Sequence, residues 1–401
     1  MTTPTANPAV PFLDVADPAF SVTSAEVRRA REAGWYARTN YGLAVLRYDQ
    51  VSRLIRHPAL RQGSRMWPAH HGITSGPFAD WWSSWVLNLE DEAHQRLRRL
   101  LNPAFSRRIV EAQRPRFRDL AGELIDSFAE PGRCEFMAEF AEPYAARVVA
   151  IMLGIAEDEW RTIAAESATV GLAMGVRIRE HLPRIEAALA ALYDYADALI
   201  ADRRRDPRDD LVTGLLRSTA GEDGLTATEL RDSLVLLIFG GFDTTRNQLG
   251  LAMAVFMDHP DQWRLLGEHP DLGAAAVEEV MRVRPTTTWV TREALADFTF
   301  DGLTIEAGTT IHLFCESAAT DGGQEFDITA AGRPLHFGFG GGIHYCLGHY
   351  VARADMCAAL TVLAGRLSDP RPAETAVWLP DSGNTGPVRL PVAFTPADAT
   401  G

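Results

Sequence analysis

The residues best suited to do chemistry lie in the string Phe339-Gly-Gly-Gly-Ile-His-Tyr-Cys-Leu-Gly348, a glycine-rich loop that presents Cys346 just before a segment with helical spacing. Gly340, Gly341 and Gly342 let the backbone turn and approach a large flat partner without Cβ collisions. Phe339 can pack against such a partner, and His344 can donate to its anionic edge. Backbone N–H groups near a helix start stabilise a thiolate, so the position suits Cys346 to axial ligation of a metal. Two plainer readings compete. Phosphate binding lacks its signature, because no Gly-Lys-Ser/Thr follows the loop and no Gly-x-Gly-x-x-Gly stands at a strand–helix junction. A buried cysteine is more often an inert small hydrophobe than a ligand, and taken alone Cys346 leaves the two evenly balanced.

Three further constellations bear on the choice. In Leu236-Leu-Ile-Phe-Gly-Gly-Phe-Asp-Thr-Thr245 an apolar helical run is interrupted by Gly240 and Gly241 and then by Asp243 and Thr244. Each glycine costs roughly 0.8–1 kcal/mol against alanine in a helix interior, and Asp and Thr compete there for local backbone bonds. The run is either a kink or a place where function outweighs stability. Glu279 and Arg282 are spaced for an i, i+3 ion pair, which on a helix surface contributes only a few tenths of a kcal/mol. His94 and Arg98, four apart, share a helix face and can together hold a carboxylate; the plainer reading is a solvated basic face.

The elements that must position these groups are mostly helices. Arg114 to Phe128 and Ile185 to Arg205 carry apolar residues at helical spacing, and such stretches far outnumber the β-like pieces. The latter fall near Leu43 to Arg47, around Phe298 to Ile311 with an Asp301-Gly302 turn, and at Val388 to Phe394. Asp206-Pro207-Arg208-Asp209 is expected to be a surface turn. No internal repeat or Gly/Ser linker divides the chain.

Composition narrows the function classes. With 401 residues, 46% hydrophobic and 23% charged, the chain can bury a large core. A formal net charge of −14 disfavours a nucleic-acid reader, although Arg96, Arg98, Arg99, Arg107 and Arg108 cluster locally. The first twenty residues show neither a secretory signal nor a membrane anchor, and the scattered cysteines at 134, 315, 346 and 357 fit a reducing compartment. The expectation is a cytoplasmic, monomeric protein without disulfides. It should bind neither membrane nor nucleic acid.

Position for position, the Cys346 loop resembles the haem-binding loop of the cytochrome P450 family, with Phe339, Gly340, Gly342, His344, Cys346 and Gly348 where that pattern has them. The resemblance runs from about Tyr36 to Phe394. It implies a mainly α cytochrome P450 fold with a small β lobe, one domain over residues 1–401, and a short flexible N-terminus of about 1–20. It implies haem b, with Cys346 as proximal iron ligand, and O2 as co-substrate. Gly240 to Thr244 resembles the oxygen-binding groove of the family's long central helix, where an irregular turn makes room for O2, Thr244 hydrogen-bonds the oxygen and Asp243 relays protons. Phe242 fills a position often polar in the family and is expected to alter the pocket or the relay. Glu279 and Arg282 resemble the Glu-x-x-Arg brace. His94, Arg98, Arg292 and His344 match the partners of the haem propionates.

One region departs from the family. In Ala318-Ala-Thr-Asp-Gly-Gly-Gln-Glu-Phe-Asp327 the usual Asn-Arg-Asp-Pro is absent and Glu325 replaces the arginine that completes the brace. A buried Glu279 would need another partner, and Arg333 is the substitute in reach. Substrate contacts are expected from Trp85, Phe239, Gly240, Thr287, Thr288, Trp289 and Val290. Trp67, Phe78, Trp81 and Trp82 are expected to be core or lid packing. The adjacent His70 and His71 lack a third metal ligand nearby. The implied activity is insertion of one atom of O2 into a small organic, apolar or aromatic, substrate, with electrons from a separate ferredoxin or flavodoxin and its reductase. The alternatives are a peroxide-driven peroxygenase and a non-catalytic haem sensor.

Overall fold

A computed structural model describes residues 10–156, 159–219 and 223–396. The longest element is a central helix, Ala227–Asp258, opened by a capping box in which the Thr226 hydroxyl accepts from the Glu229 N–H while the Glu229 carboxylate accepts from the Thr226 N–H. The helix is buried on nearly every side, which explains a sequence rich in Leu, Val, Phe and Ala around its whole circumference rather than along one stripe. Its first half, with Leu234, Val235, Ile238, Phe239 and Phe242, packs into a core built with Trp81, Trp82, Trp85 and Leu189. The second half, with Leu249, Met253 and Phe256, packs into another built with Phe117, Phe140, Tyr144 and Trp263. Gly240 to Thr244 lies where the two cores meet.

Helices expected from periodicity are present as Arg107–Asp126 and Ile178–Arg205. A further helix, His349–Arg366, begins directly after the Cys346 loop and packs against the first of these. The β part is a six-stranded sheet ordered Phe12–Leu13, Tyr36–Thr39, Gly42–Val45, Thr310–Phe314, Trp289–Ala294, Leu60–Gln62. Asp301 and Gly302, with φ of 44° and 81°, turn the hairpin between Phe298–Phe300 and Leu303–Ile305, the left-handed pair that a two-residue hairpin loop requires. Asp206 to Asp209 connects two helices, as the sequence suggested.

The N-terminal expectation needs correction over part of its length. Residues 1–9 lie outside the described residues, but from residue 10 the chain is packed: Phe12–Leu13 pairs in parallel with Arg38 and Thr39, and Leu13, Val15 and Phe20 are buried. Apolar burial and a strand pairing hold this segment.

Candidate active site

A cavity of about 390 Å³ lies between the Cys346 loop, the middle of the central helix and the strand Trp289–Ala294, within the size range of small-molecule pockets. Of the four cysteines, only Cys346 lines it. The loop is closed by bonds from the Gly340 N–H to the Phe337 carbonyl (2.8 Å) and from the Cys346 N–H to the Phe339 carbonyl (2.9 Å). Gly340 and Gly342 adopt φ of 70° and 72°, which any other residue would hold only under strain. Burial raises the Cys346 thiol above its ordinary range, while the Gly348 N–H, Arg98 and Arg353 pull it back toward the thiolate. Cys134 and Cys315 are pushed up to about 12 by burial and remain thiols.

On one side of the loop His94, Arg98, Arg292 and His344 converge on the cavity. The helix Asp91–Leu101 brings His94 and Arg98 to one face, and the His94 and His344 rings lie 4.2 Å apart. Burial, His344 and Arg98 lower His94 to about 4, so it is neutral near pH 7. Arg292 is buried and bonds the carbonyls of Ile55 and Gly341; burial brings it down to about 10. Burial also lowers Arg98, which has no carboxylate partner among the described residues. His94 Nδ1 and His344 Nδ1 are both buried without a hydrogen-bond partner. Orphaned ring nitrogens and an uncompensated guanidinium beside a thiol form a cradle lacking its partner, and a dianionic, iron-bearing macrocycle fits it: a carboxylate can take a bond from Arg98 and, where the ring is protonated, from an imidazole. Glu90, which the sequence did not single out, touches His344 Nε2 at 3.3 Å and thereby leaves Nδ1 as the ring's open nitrogen.

Across the cavity stands the central helix, which does not break at its glycines. Room comes instead from missing side chains, since a Cβ on Gly240 would meet no atom within 4 Å. The Thr244 hydroxyl lines the cavity and donates to the Gly240 carbonyl at 2.7 Å. Asp243 does not line it. Its carboxylate faces the other way, toward Gly171, and accepts from Asn247 (3.3 Å) and Asn384 (3.4 Å), with Arg246 3.4 Å away. Burial raises this carboxyl despite those partners. Its connection to the cavity runs through Asn384, which does line the wall. Phe242 is likewise turned into the core, so its expected effect on the pocket is not met.

Beneath the loop, Glu279 and Arg282 are 4% and 1% exposed and share two bonds of 2.7 Å, so this pair is not the surface kind. Arg333 reaches Glu279 at 3.5 Å and donates to the Glu325 carbonyl at 2.6 Å. The replacement partner is therefore Arg333. Glu325 serves through its backbone, which also accepts from Arg282 at 3.2 Å.

Of the expected substrate contacts, Trp85, Phe239, Gly240, Thr287, Trp289 and Val290 line the cavity. Thr288 does not; its hydroxyl is committed to the Ser382 carbonyl. Trp67 and Trp82, expected as packing, also contribute to the wall, as do His70, weighed only as a metal ligand, and His312, which no motif marked. The basic cluster is divided in a way the sequence does not show. Arg96 pairs with Glu229, leaving Arg99, Arg107 and Arg108 as the exposed members, with Arg107 3.8 Å from Glu111; Arg353, just past the Cys346 loop, pairs with Glu278.

No family model matches the chain. Over 393 residues it is 36% identical to the luteothin monooxygenase of Streptomyces thioluteus, with 96% of both chains covered. To cytochrome P450 CYP107DY1 of Priestia megaterium it is 30% identical, covering 82% of this chain and 85% of that protein. The crystal structure of CalO2 superposes with a TM-score of 0.84 at 28% identity, covering 94% of this chain and 99% of the other. The tirandamycin C-bound P450 monooxygenase TamI superposes at 0.80 and 26%, covering 96% and 100%. The chain belongs to the cytochrome P450 family. It has that family's mainly helical fold with small sheets, and with it the haem-dependent, O2-using monooxygenase activity. No helix among the described residues is long and apolar enough to cross a membrane.

Proposed function

We propose that Cys346 is the thiolate ligand of the haem iron, and that His94, Arg98, Arg292 and His344 receive the haem carboxylates, within a single cytoplasmic domain. One observation carries this reading: Cys346, alone among the cysteines, shares a cavity wall with His94, Arg98, Arg292 and His344, of which Arg98 has no carboxylate partner among the described residues and both histidines keep a buried Nδ1 without a partner. When bound, the haem supplies the activation of O2 and the transfer of one oxygen atom to an organic substrate. The residues of this chain position and protect. Phe339 and the Gly340–Gly342 turn shape the cysteine loop, Gly240 leaves space, and the Thr244 hydroxyl, whose own proton goes to the Gly240 carbonyl, can hold a proton-bearing group at the cavity on its lone pairs. Asp243, held by Arg246, Asn247 and Asn384, orders the hydrogen-bonded wall behind Thr244 and supplies protons indirectly.

The wall of Trp67, Trp82, Trp85, Phe239 and Trp289 favours an apolar, partly aromatic substrate. Luteothin, named by the relative from Streptomyces thioluteus, is the first compound to screen. Electrons come from a separate acidic ferredoxin or flavodoxin that docks on the face carrying Arg99, Arg107 and Arg108, with exposed Ile343 and Tyr350 beside the cysteine loop. Asp243 and Thr244 favour this over peroxide-driven turnover, because peroxide already brings the protons and electrons they help manage. The test is product formation from screened substrates with NAD(P)H, a surrogate ferredoxin and its reductase. Product that requires all three supports the reading; product formed equally well with peroxide alone contradicts it.

A further inference from the structure

The cavity contains two separate sets of ring nitrogens without partners. His94 and His344 belong to the cradle beside Cys346. The other set, His70 Nδ1, His312 Nε2 and Trp85 Nε1, has no role in that cradle. His312 is the most unusual of these. It sits mid-strand in Thr310–Phe314, every residue of which is buried, and is itself 1% exposed. A polar ring in such a place is costly unless each nitrogen is satisfied. One is: Nδ1 lies 3.2 Å from the hydroxyl of Thr291, its cross-strand partner. Nε2 has none.

Strand alternation separates this group from the haem cradle. Along Trp289–Ala294, Arg292 turns to the Cys346 loop and bonds the Gly341 carbonyl, whereas Thr291 and Trp289 turn to the opposite face. There the Trp289 ring lies 5.2 Å from His312, while Tyr41 stacks on His70 at 5.4 Å with an interplanar angle of 6° and meets His312 edge-on at 6.4 Å. Trp67 lines the same wall, its own N–H already given to the Ala173 carbonyl. The result is a slot of flat rings in which His70 Nδ1 and His312 Nε2 are buried without a hydrogen-bond partner.

We infer that His312, assisted by His70, anchors a flat, uncharged group bearing a carbonyl oxygen, at the part of the substrate remote from the site of oxidation. The Thr291 hydroxyl has no other partner among the described residues, so it can donate to Nδ1 and leave Nε2–H as the donor to that carbonyl. Burial and the mutual proximity of the two rings keep His312 uncharged, lowering it to about 3, which disfavours a carboxylate as occupant. A metal is not indicated either, because no three His, Cys, Asp or Glu side chains converge among the described residues. The assignment rests on the monooxygenase reading of the cavity and adds to it the chemistry of one end of the substrate.

The test uses the haem-loaded protein and a matched pair of probes, 9-fluorenone and fluorene, which differ in the carbonyl. Calorimetry or equilibrium dialysis gives both dissociation constants. Net hydrogen-bond contributions of this kind correspond to about a 3- to 10-fold preference for fluorenone. His312→Phe should remove the preference and leave fluorene affinity nearly unchanged, His312→Gln should retain part of it, and His70→Leu should weaken it. Equal or immeasurably weak binding of both probes to the unsubstituted protein overturns the assignment, as does a preference that survives His312→Phe. If His312→Phe does not fold, the His70→Leu and His312→Gln variants decide the same question. The carbon monoxide complex recorded on the same samples tests the haem-thiolate reading separately, since neither dissociation constant depends on iron ligation.

Discussion

The two walls of the cavity are specified in different ways. The Cys346 side is built from residues close in sequence whose spacing does the positioning: two left-handed glycines, a thiol shortly before a helix, and a His/Arg pair one helical turn apart. The opposite side is assembled from Trp67, His70, Trp85, Trp289 and His312, with Tyr41 stacked on His70, brought together only by the sheet and by packing against the central helix. Chemistry is carried by short motifs that fix backbone geometry. Recognition is carried by side chains that meet only after folding.

If that contrast is sound, damage to the base of the chemical wall should have the greatest consequence. Arg282→Ala leaves the buried Glu279 with the Asp327 N–H and, as its one charged partner, the more distant Arg333, and breaking such a buried pair costs about 3–5 kcal/mol. Thermal or denaturant unfolding should show most of the protein unable to retain haem. Arg333→Ala, at 3.5 Å and partly exposed, should cost far less.

Within the helix wall the two neighbours should separate. Asp243→Asn should slow turnover by about 10²-fold, the lower range for loss of an acid–base group. Thr244→Ala should leave substrate binding intact but divert reducing equivalents to peroxide, read as NAD(P)H consumed without product. Unchanged coupling in both variants would remove the pair from the mechanism.

The recognition wall has a pH signature. His312 is lowered to about 3 in the folded protein by burial and by His70, whereas an unfolded histidine titrates near 6.5. Between these values the unfolded chain binds the extra proton, so stability falls as pH drops below about 6.5. The loss approaches 1.4 kcal/mol per pH unit. Denaturant titrations at pH 7 and pH 5 should therefore show His312→Phe losing about 1–2 kcal/mol less than the unsubstituted protein. Parallel losses would mean that the ring is not buried uncharged.

The smallest effect is expected at the electron-donor face. Charge reversal at Arg99, Arg107 or Arg108 should slow ferredoxin-driven reduction several-fold without altering dithionite reduction, and added salt should have the same effect, because such steering is screened over roughly 8–10 Å. Arg353 does not belong in this series: reversing it breaks its bond to Glu278.

Much of the chemical wall was legible in the sequence because its determinants are local. Cys346, Gly340, His94, Arg98, Arg292 and His344 all reach the cavity, and Arg333 takes the place of the missing brace arginine. The helices over 107–126 and 178–205 were legible for the same reason, since apolar periodicity is a local signal. Asp243 was placed correctly on its helix, but spacing does not say which way a carboxylate turns; that was settled by Asn247, Asn384 and Arg246. Thr288 was grouped with its neighbours as a contact, but its hydroxyl is taken by the Ser382 carbonyl, a partner distant in sequence that local spacing does not reveal. His312 carried no signal, being a single histidine in an apolar strand whose relevance depends on Thr291, Trp289 and His70.

The most direct test of the central claim is the carbon monoxide difference spectrum of the dithionite-reduced protein. The account predicts a Soret band at the red-shifted position typical of thiolate ligation, retained when Cys134, Cys315 and Cys357 are all replaced by serine and lost in Cys346→Ser. A band that survives Cys346→Ser, or one that disappears only with the other three, would contradict it.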